Sequence, residues 1–417
     1  MLLFYRIIIN LLILVSPIII IIRLIKRKES FSRFKEKFCL FSKSKIRGKL
    51  IWFHGASVGE LQSIIPLIEK LEKKKDIKQI LVTSNTLSSS KIMDKITSKK
   101  VIHQFFPIDT NILCKKFLNY WRPNLAFFID SEIWPNMIYN LHEKKIPFGL
   151  LNGRITKKTF KRWMNFPNFS KKIFSQFSIC LSSSHESMIY LKKLGSKKVK
   201  LLGNLKFSQS ENEKLKFDIK LRKFIKSKKV WCASSTHKTE EEFCGVVHKK
   251  LKTKYKNLLT IIIPRHIERV KKIENELKNL GLKIHLHEPK SQIKDNTDIY
   301  IVNAYGKTKS FYNNCKNIFL GGSLIKHGGQ NPLEAARYGC NILHGPNIDN
   351  FKEIYNFLKI KKISKRINNQ KDMVYSLNKC FSKNSNTKKI QKKLNTIGQN
   401  ILNKTYNEIN FLIKNET

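Results

Sequence analysis

A glutamate, Glu60, stands where a strand pattern gives way to a helix pattern. The segment IWFHGASVGE (51–60) predicts an apolar strand, a loop of small residues and then an amphipathic helix. A carboxylate at the carboxyl end of a strand lies where open α/β sheets bind their ligands, and it can accept a proton from a substrate hydroxyl. Ser57 and Glu60 also have the Ser-x-x-Glu spacing of a capping box, which satisfies free N–H groups at a helix start. The spacing alone favours the capping role, and the rest of the chain must decide whether Glu60 also does chemistry.

Other charged side chains follow further strand patterns in the first half of the chain. Asp130 and Glu132 come after one apolar run, and Arg154 comes after the next. Because parallel strands end at the same edge of a sheet, these groups are expected at the edge that carries Glu60. Each one alone is more typical of an ordinary polar loop residue than of a ligand contact.

The segment from Asn317 to Cys340 predicts a phosphate site. An apolar strand is followed by two glycine pairs and then by a short helix pattern. Asn331 suits the N-cap, Pro332 suits the first helical position, and free N–H groups at a helix start attract anions. Glu334 could accept hydrogen bonds from two ribose hydroxyls, or it could cap the helix, since it lies three residues after Asn331.

Two more strand ends carry polar candidates. Arg265 follows the apolar part of the run LTIIIPRH (259–266), where a guanidinium could clamp a phosphate or simply remain solvated. Tyr305, Gly306 and Lys307 follow another apolar run and form a weaker signal.

The elements that must position these side chains alternate between short apolar runs and helix patterns. Such alternation predicts parallel sheets, and we expect two Rossmann-like α/β domains with a ligand cleft between them. The expected domains are residues 26–207 and 229–417, joined by a polar linker at 208–228. The predicted strands are 50–54, 79–84, 101–106, 125–130, 147–152, 177–182, 199–202, 230–234, 258–264, 282–286, 298–303, 317–320 and 340–343.

The charge balance is strongly basic. The 417 residues hold 81 Lys+Arg against 30 Asp+Glu, a formal net charge of +51, which favours a polyanionic partner such as an anionic lipid surface or a phosphorylated substrate. No zinc-finger, helix-turn-helix or RNP-type motif supports nucleic-acid binding. The 8 cysteines are scattered without a C-x-x-C pair, so we expect reduced thiols and no metal site.

The first 25 residues predict a transmembrane anchor. Leu2–Ile22 contains one charge, Arg6, and at 1.5 Å per residue it spans about 30 Å, the thickness of a bilayer core. Basic residues crowd the C-terminal flank, so the positive-inside rule predicts a single crossing with the bulk of the chain in the cytoplasm. A cleaved signal peptide is the alternative, but no small-x-small cleavage site follows the run.

The chain resembles the Kdo transferases, glycosyltransferases that add 3-deoxy-D-manno-octulosonic acid (Kdo) to a lipid A precursor. The motifs Ser57-Val58-Gly59-Glu60, Gly321-Gly322-Ser323-Leu324 and Asn331-Pro332-Leu333-Glu334 carry it most specifically. The matching segments, which extend over essentially the whole chain, are 52–60, 131–136, 152–156, 203–207, 264–265 and 321–334. In one loop, Asn303–Lys307, two acids that the family often has are replaced.

The resemblance implies an inverting GT-B enzyme of the cell inner membrane, acting in lipopolysaccharide biosynthesis. It implies CMP-Kdo as donor, the phosphorylated precursor lipid IVA as acceptor, no cofactor and no metal, with Glu60 as general base. The residues it implies for CMP binding are Pro264, Arg265, Tyr305, Gly306, Lys307, Asn331, Pro332, Leu333 and Glu334. We also expect Ser57, Glu132, Arg154, Gly322 and Ser323 to contact the acceptor or to support the residues that do.

Two other functions fit parts of the pattern. One is another two-Rossmann enzyme of nucleotide sugars, such as an epimerase, which would have no need of a membrane anchor. The other is a non-catalytic, polybasic membrane protein that binds anionic lipid. Transfer of Kdo to the lipid would distinguish a Kdo transferase from both of these alternatives.

Overall fold

The computed structural model describes residues 1–94, 96–209, 217–382 and 387–415. It divides into two compact units: unit 1 holds Met1–Gln209 and Ile397–Thr417, and unit 2 holds Ser210–Thr396. The C-terminal stretch from Ile397, which the sequence groups with the second domain, thus clusters with the first unit. Residues 210–216 of the predicted linker lie outside the described residues, whereas Ile219–Ser227 forms a helix.

Each unit contains seven described strands. Unit 1 has β1 (Lys49–His54), β2 (Ile77–Ser84), β3 (Val101–Phe105), β4 (Leu125–Ile129), β5 (Phe148–Gly153), β6 (Ile179–Ser182) and β7 (Val199–Leu201). Unit 2 has β8 (Lys229–Thr236), β9 (Leu258–Pro264), β10 (Ile284–Leu286), β11 (Ile299–Ile301), β12 (Asn317–Leu320), β13 (Asn341–His344) and β14 (Ser364–Arg366).

The helices cover both faces of these sheets. Unit 1 has α1 (Leu2–Ile25), α2 (Val58–Leu71), α3 (Leu87–Met93), α4 (Asn111–Trp121), α5 (Pro135–Glu143), α6 (Lys157–Met164), α7 (Pro167–Phe174) and α8 (His185–Leu194). Unit 2 has α9 (Ile219–Ser227), α10 (Glu240–Lys252), α11 (Val270–Asn279), α12 (Thr308–Tyr312), α13 (Leu333–Arg337), α14 (Lys352–Ile360) and α15 (Gln370–Ser382), and α16 (Thr387–Asn415) ends in unit 1.

The strand order of each sheet is that of a doubly wound Rossmann-like fold. In unit 1 the order is β3-β2-β1-β4-β5-β6-β7, with parallel neighbours throughout. The chain winds outward in opposite directions from β1 and β4, so the crevice at their carboxyl ends is the topological switch point, where such sheets bind ligands. Glu60 follows β1, and Asp130 and Glu132 follow β4.

Unit 2 repeats this plan. Its sheet has the order β10-β11-β9-β8-β12-β13-β14, again with parallel neighbours. Its switch point lies between β8 and β12. The loops that follow these strands are residues 237–239 and the segment with two glycine pairs after Leu320. Two Rossmann-like units, as predicted, therefore each present one ligand-binding edge.

Hydrophobicity and capping explain why these segments fold as they do. Central strands such as β4 and β9 are buried at every position, as parallel strands covered by helices on both faces must be. Several helices of unit 1 begin at a Ser or Thr whose side chain accepts the N–H three residues on, which fixes the strand-to-helix turns. These N-caps are Ser57, Thr86, Thr110, Thr156 and Ser184.

All thirteen predicted strands are present, with ends shifted by no more than two residues. The strand that sequence reasoning missed is β14, which is short and polar and lies at the edge of its sheet. Pro332 is the N-cap of α13 rather than its first helical residue, and this helix has only five residues.

Helix α1 has the composition expected of a membrane segment. It is long and apolar enough to cross a bilayer, with a mean hydropathy of 2.8 over its most apolar window. Only 11% of that window is buried against the rest of the protein.

Candidate active site

Glu60 occupies the third position of α2, and its carboxylate is held on both oxygens. The Ser57 hydroxyl donates to Oε1 at 2.7 Å, and the Ala56 N–H donates to Oε2 at 2.7 Å. The Glu60 N–H donates to Ser57 Oγ at 3.3 Å, so the capping box is complete. The capping and catalytic roles are therefore compatible, because the cap aims the carboxylate.

The surroundings of Glu60 poise it as a base near neutral pH. Burial and the negative charges of Asp130 and Glu132 together raise the pKa of Glu60 to about 7, against the hydrogen bonds from Ser57 and Ala56, which lower it. A general base works best when its pKa lies near the working pH. The helix N-terminus alone would favour the ionised form, so burial and the neighbouring acids outweigh it here.

Two aromatic residues, Trp134 and His54, lie against the Glu132 carboxylate. Trp134 Nε1 donates to Glu132 Oε2 at 2.9 Å, and His54 Nε2 lies 3.3 Å from the same oxygen. Burial lowers the pKa of His54, and its ring stacks on Phe106 with centroids 3.8 Å apart. Thr83 Oγ1 lies 2.9 Å from His54 Nδ1 and orients the ring from the other side. Glu132 is thus a positioned negative charge.

Asp130 anchors a second buried cluster at the end of β4. Asn152 Nδ2 donates to Asp130 Oδ1, Lys206 Nζ lies 2.9 Å from Oδ2, and the Arg154 N–H donates to the Asp130 carbonyl oxygen at 2.9 Å. Asn152 Oδ1 in turn accepts the N–H of Leu205 at 2.9 Å. Both Asp130 (φ 56°) and Asn152 (φ 54°) adopt left-handed backbone conformations, which cluster at functional sites.

In unit 2 the glycine loop after β12 wraps a buried carboxylate, that of Glu240. Glu240 begins α10 and accepts the N–H groups of Gly322 at 2.7 Å, Ser323 at 3.1 Å and Leu324 at 3.0 Å, together with that of His237 at 3.0 Å. A Cβ at Gly321 would lie 2.5 Å from a backbone oxygen, so only glycine fits there. Gly322 and Ser323 therefore shape the loop through their backbones.

His237 lies beside this loop among positive groups. Burial, together with the nearby His327, His266 and Arg265, lowers the pKa of His237 to about 4. Its ring centroid is 4.3 Å from that of His327 and 5.8 Å from that of His266. This concentration of positive and ionisable groups at the switch point suits a phosphate.

The predicted donor-binding residues lie at or after the carboxyl ends of strands in the unit 2 sheet, with Pro264 as the last residue of β9. Arg265 is exposed directly after β9, and its N–H donates to the Thr236 carbonyl oxygen at 3.0 Å, which ties it to the end of β8. Tyr305 is exposed, and its hydroxyl donates to Glu268 at 2.9 Å. Gly306 has a φ of +74° with open space where a Cβ would be, and Lys307 caps α12.

The second glycine pair leads into the short helix α13. Asn331 Oδ1 accepts the Leu333 N–H at 3.1 Å, so Asn331 performs the predicted capping bond although Pro332 is the formal N-cap. Glu334 is half-buried in the first turn. Its carboxylate raises the pKa of Tyr312, and burial raises that pKa more strongly.

Sequence reasoning missed Glu240 and Lys206 as site residues. Glu240 had a readable signal, because it follows a strand end and a run of small polar residues, Ser234–Thr236. Lys206 lies in the matching segment 203–207, but its contact with Asp130 could not be read, since the two residues are 76 positions apart. Across the four described ranges, no group of three or more His, Cys, Asp or Glu side chains is arranged to hold a metal.

Comparison with known proteins gives the family. The sequence model of the 3-deoxy-D-manno-octulosonic-acid transferase (kdotransferase) family matches residues 32–209. The chain is 36% identical over 341 residues to a 3-deoxy-D-manno-octulosonic acid transferase of Rickettsia bellii, covering 81% of this chain and 80% of that protein. It is 29% identical over 356 residues to the transferase of Haemophilus influenzae, covering 84% and 83%.

The fold is also that of GT-B proteins. A UDP-GlcNAc 2-epimerase from Neisseria meningitidis aligns with a TM-score of 0.58 at 15% identity, over 88% of this chain and all of that one. At such identity the likeness concerns the fold alone. The match to the Rickettsia bellii transferase, together with the family model, shows that this chain belongs to the 3-deoxy-D-manno-octulosonic acid transferase family of glycosyltransferases.

Proposed function

We propose that this protein transfers Kdo from CMP-Kdo to the lipid A precursor, lipid IVA, with inversion at the anomeric carbon. The observation that carries the proposal is the Glu60 carboxylate. It lies at the switch point of unit 1 with a pKa of about 7, within the region that matches the family. A base of that strength suits removal of a proton from a sugar hydroxyl during attack.

In the proposed reaction, an acceptor hydroxyl attacks the anomeric carbon of Kdo. Its proton passes to Glu60 as the new carbon–oxygen bond forms, and the bond from that carbon to the CMP phosphate oxygen breaks with its electrons leaving on CMP. General-base help of this kind contributes about 10²–10⁴-fold. The fixed charges of Asp130 and Glu132 keep the Glu60 pKa high enough to hold that proton.

Unit 2 is proposed to bind the CMP moiety. Arg265 and the N–H groups near Asn331 would stabilise the negative charge that grows on the departing phosphate. Glu334 would accept hydrogen bonds from the ribose hydroxyls. Pro264, Tyr305, Gly306 and Lys307 would complete the nucleotide contacts, with Pro332 and Leu333 in the same loop. Ser57, Arg154 and the Gly322–Ser323 loop would support the reacting groups.

The proposed location is the cytoplasmic face of the cell inner membrane, where a lipid acceptor is accessible. The apolar surface of α1 and the high basic charge support an association with anionic lipid. The enzyme would use no cofactor and no nucleic acid, and CMP is itself a good leaving group.

The test is direct transfer. Purified protein is incubated with CMP-Kdo and tetraacylated lipid A precursor, and both CMP release and the mass of the glycolipid are measured. We expect stoichiometric CMP release with a mass increase of one or more Kdo units, and NMR of the product should show inversion. Release of CMP without a change in the glycolipid mass, or no reaction at all, would contradict the proposal.

A further inference from the structure

Helix α1 has two distinct faces along its whole length. Positions on one face are buried or half-buried against unit 1 at a spacing of three and four residues: Leu2, Tyr5, Arg6, Ile9, Ile13, Ser16, Ile20, Arg23 and Leu24. The opposite face exposes large apolar side chains: Leu3, Phe4, Ile7, Ile8, Leu11, Leu12, Leu14, Val15, Ile18, Ile19, Ile21, Ile22 and Ile25. A helix docked along one side of a polar domain presents such a pattern.

The N-terminal end of α1 is held by specific polar contacts. The Tyr5 hydroxyl donates to Asp109 Oδ2 at 2.8 Å, and Arg6 donates to Asn136 Oδ1 at 3.0 Å and Asn111 Oδ1 at 3.1 Å. Asp109 is buried and also accepts the Asn136 N–H at 3.1 Å, at the start of α5. Tyr5 and Arg6 therefore bind the loops that begin α4 and α5.

The C-terminal end of α1 is held by the same unit. Arg23 Nε lies 3.0 Å from Glu29 Oε2, and Lys37 Nζ lies 2.6 Å from that oxygen. Glu36, one residue before Lys37, accepts the N–H of Phe105 at 2.8 Å and so joins this segment to β3. Both ends of α1 thus contact one folded unit.

These contacts conflict with a helix that crosses the bilayer. From Tyr5 to Leu24 the axis extends about 28 Å at 1.5 Å per residue, nearly the thickness of the hydrocarbon core. If Leu24 lay at the cytoplasmic interface of a crossing helix, Tyr5 and Arg6 would lie at the opposite interface, out of reach of Asp109 and Asn136. Breaking these contacts would leave the buried Asp109 carboxylate without the hydrogen bond from the Tyr5 hydroxyl.

We propose that α1 lies in the plane of one leaflet, with its exposed apolar face in the lipid and its other face on unit 1. Such in-plane helices bury their apolar side chains about 5–10 Å into the headgroup and acyl boundary. The apolar face extends along the whole of this 24-residue helix. A continuous exposed apolar surface of this kind marks a site of interaction with a membrane or another protein. This arrangement differs from the single crossing predicted from the sequence.

Basic charge adjoining α1 identifies the partner as an anionic leaflet. Lys26, Arg27 and Lys28 are exposed directly after the helix. On the other side, the Tyr139 ring of α5 lies between Arg6 of α1, 5.0 Å away, and Lys172 of α7, 6.0 Å away. Helix α5 therefore contacts both α1 and α7, and α7 in turn contacts α6.

Helices α6 and α7 also expose basic and apolar side chains next to each other. Helix α6 has no buried residue, and the exposed side chains of the pair combine cations with apolar groups. These are Lys157, Lys158, Lys161, Arg162, Met164, Phe166, Lys171 and Lys172. Cations next to apolar side chains bind anionic lipid headgroups while the apolar groups enter the interface.

The in-plane position deepens the proposed function by bringing the catalytic edge of unit 1 to the lipid. Tyr5 and Arg6 contact loops that follow β3 and β4, at the carboxyl edge that also carries Glu60 and Glu132. A sugar headgroup in the leaflet would then be presented at that edge. The membrane geometry of α1 can be measured whether or not transfer occurs, so the two proposals fail separately.

The experiment measures the depth of labels along α1. Single variants Phe4→Cys, Leu11→Cys, Ile18→Cys and Ile25→Cys place a fluorophore on one exposed face at seven-residue intervals, about 10.5 Å apart along the axis. Each full-length protein is bound to vesicles of phosphatidylcholine and phosphatidylglycerol, and quenching by lipids spin-labelled at shallow or deep acyl positions is compared. The unsubstituted protein controls for the 8 native cysteines, of which seven are buried.

An in-plane helix predicts that all four labels lie at one shallow depth, within about 3 Å of each other. A crossing helix places Leu11 and Ile18 about 10 Å deeper than Phe4 and Ile25, and that result would overturn the proposal. Absence of lipid quenching at all four labels would also overturn it, and would indicate that a second copy of the chain covers this face. Ile20→Cys on the docked face is the matched control, expected to escape quenching.

Discussion

The pKa of Glu60 makes a quantitative prediction about pH dependence. An ordinary glutamate with a pKa of 4.5 is almost fully ionised at pH 5.5, whereas burial and the neighbouring acids raise the Glu60 pKa to about 7. The raised value corresponds to roughly 3 kcal/mol favouring the protonated form, at about 1.4 kcal/mol per pH unit. Only the ionised form can accept the proton of the acceptor hydroxyl, so activity must fall as pH decreases through 7.

The expected profile of kcat/KM has an acid limb centred near pH 7. At pH 5.5 about 3% of Glu60 is ionised, so transfer should be roughly 30-fold below its plateau. The assay is initial-rate Kdo transfer between pH 5 and pH 9 at low acceptor concentration, so that the free enzyme is titrated. Each point is repeated after return to pH 8, which separates reversible titration from loss of folded protein.

Asp130→Asn supplies the internal control. It removes the largest charge contribution to the Glu60 pKa while keeping the size of the side chain. The acid limb should therefore move to lower pH, even if the plateau rate changes. A profile that stays flat to pH 5.5, or an acid limb that does not move in Asp130→Asn, would refute the proposed environment of Glu60.

Two further substitutions test unit 2. Arg265→Ala should weaken CMP binding about 10- to 100-fold, as expected for loss of a charged hydrogen bond worth about 1.5–3 kcal/mol, and calorimetry showing unchanged affinity would remove Arg265 from the phosphate site. Glu240→Ala leaves four backbone N–H groups without their acceptor. It should lower the free energy of unfolding by about 2–4 kcal/mol, measured by denaturant titration, and an unchanged midpoint would contradict the role given to this carboxylate.

Much of the fold could be predicted because strands buried in a parallel sheet appear in the sequence as short, continuous apolar runs. A strand such as β9 is apolar at nearly every position, and the caps at Ser57 and Thr156 mark where helices begin. The strand β14 shows no apolar run, since it is an edge strand of three residues of which only one is buried. The docking of α1 was also unreadable, because Tyr5 and Arg6 find their partners more than one hundred residues away.

The candidate site shows the same division. Glu60 could be identified because its motif, its strand end and its cap all lie within ten residues. Its pKa could not, since burial and the charge of Asp130 arise only when β1 and β4 become neighbours. Likewise, the sequence predicted that the glycine loop after β12 binds a phosphate, but its N–H groups donate to the Glu240 carboxylate. This contact could not be predicted, because it joins residues that are 82 to 84 positions apart in the sequence.

The central claim is that Glu60 is the catalytic base, and Glu60→Gln tests it most directly. The glutamine keeps the size of the side chain and an acceptor for the Ala56 N–H, but it cannot take up a proton. Single-turnover transfer from CMP-Kdo is measured together with CMP affinity and thermal unfolding. The account predicts a loss of transfer of at least about 10²-fold, with CMP affinity and the unfolding temperature near those of the unsubstituted protein. Transfer at an undiminished rate by the folded Glu60→Gln protein would reduce Glu60 to a helix cap and contradict the account.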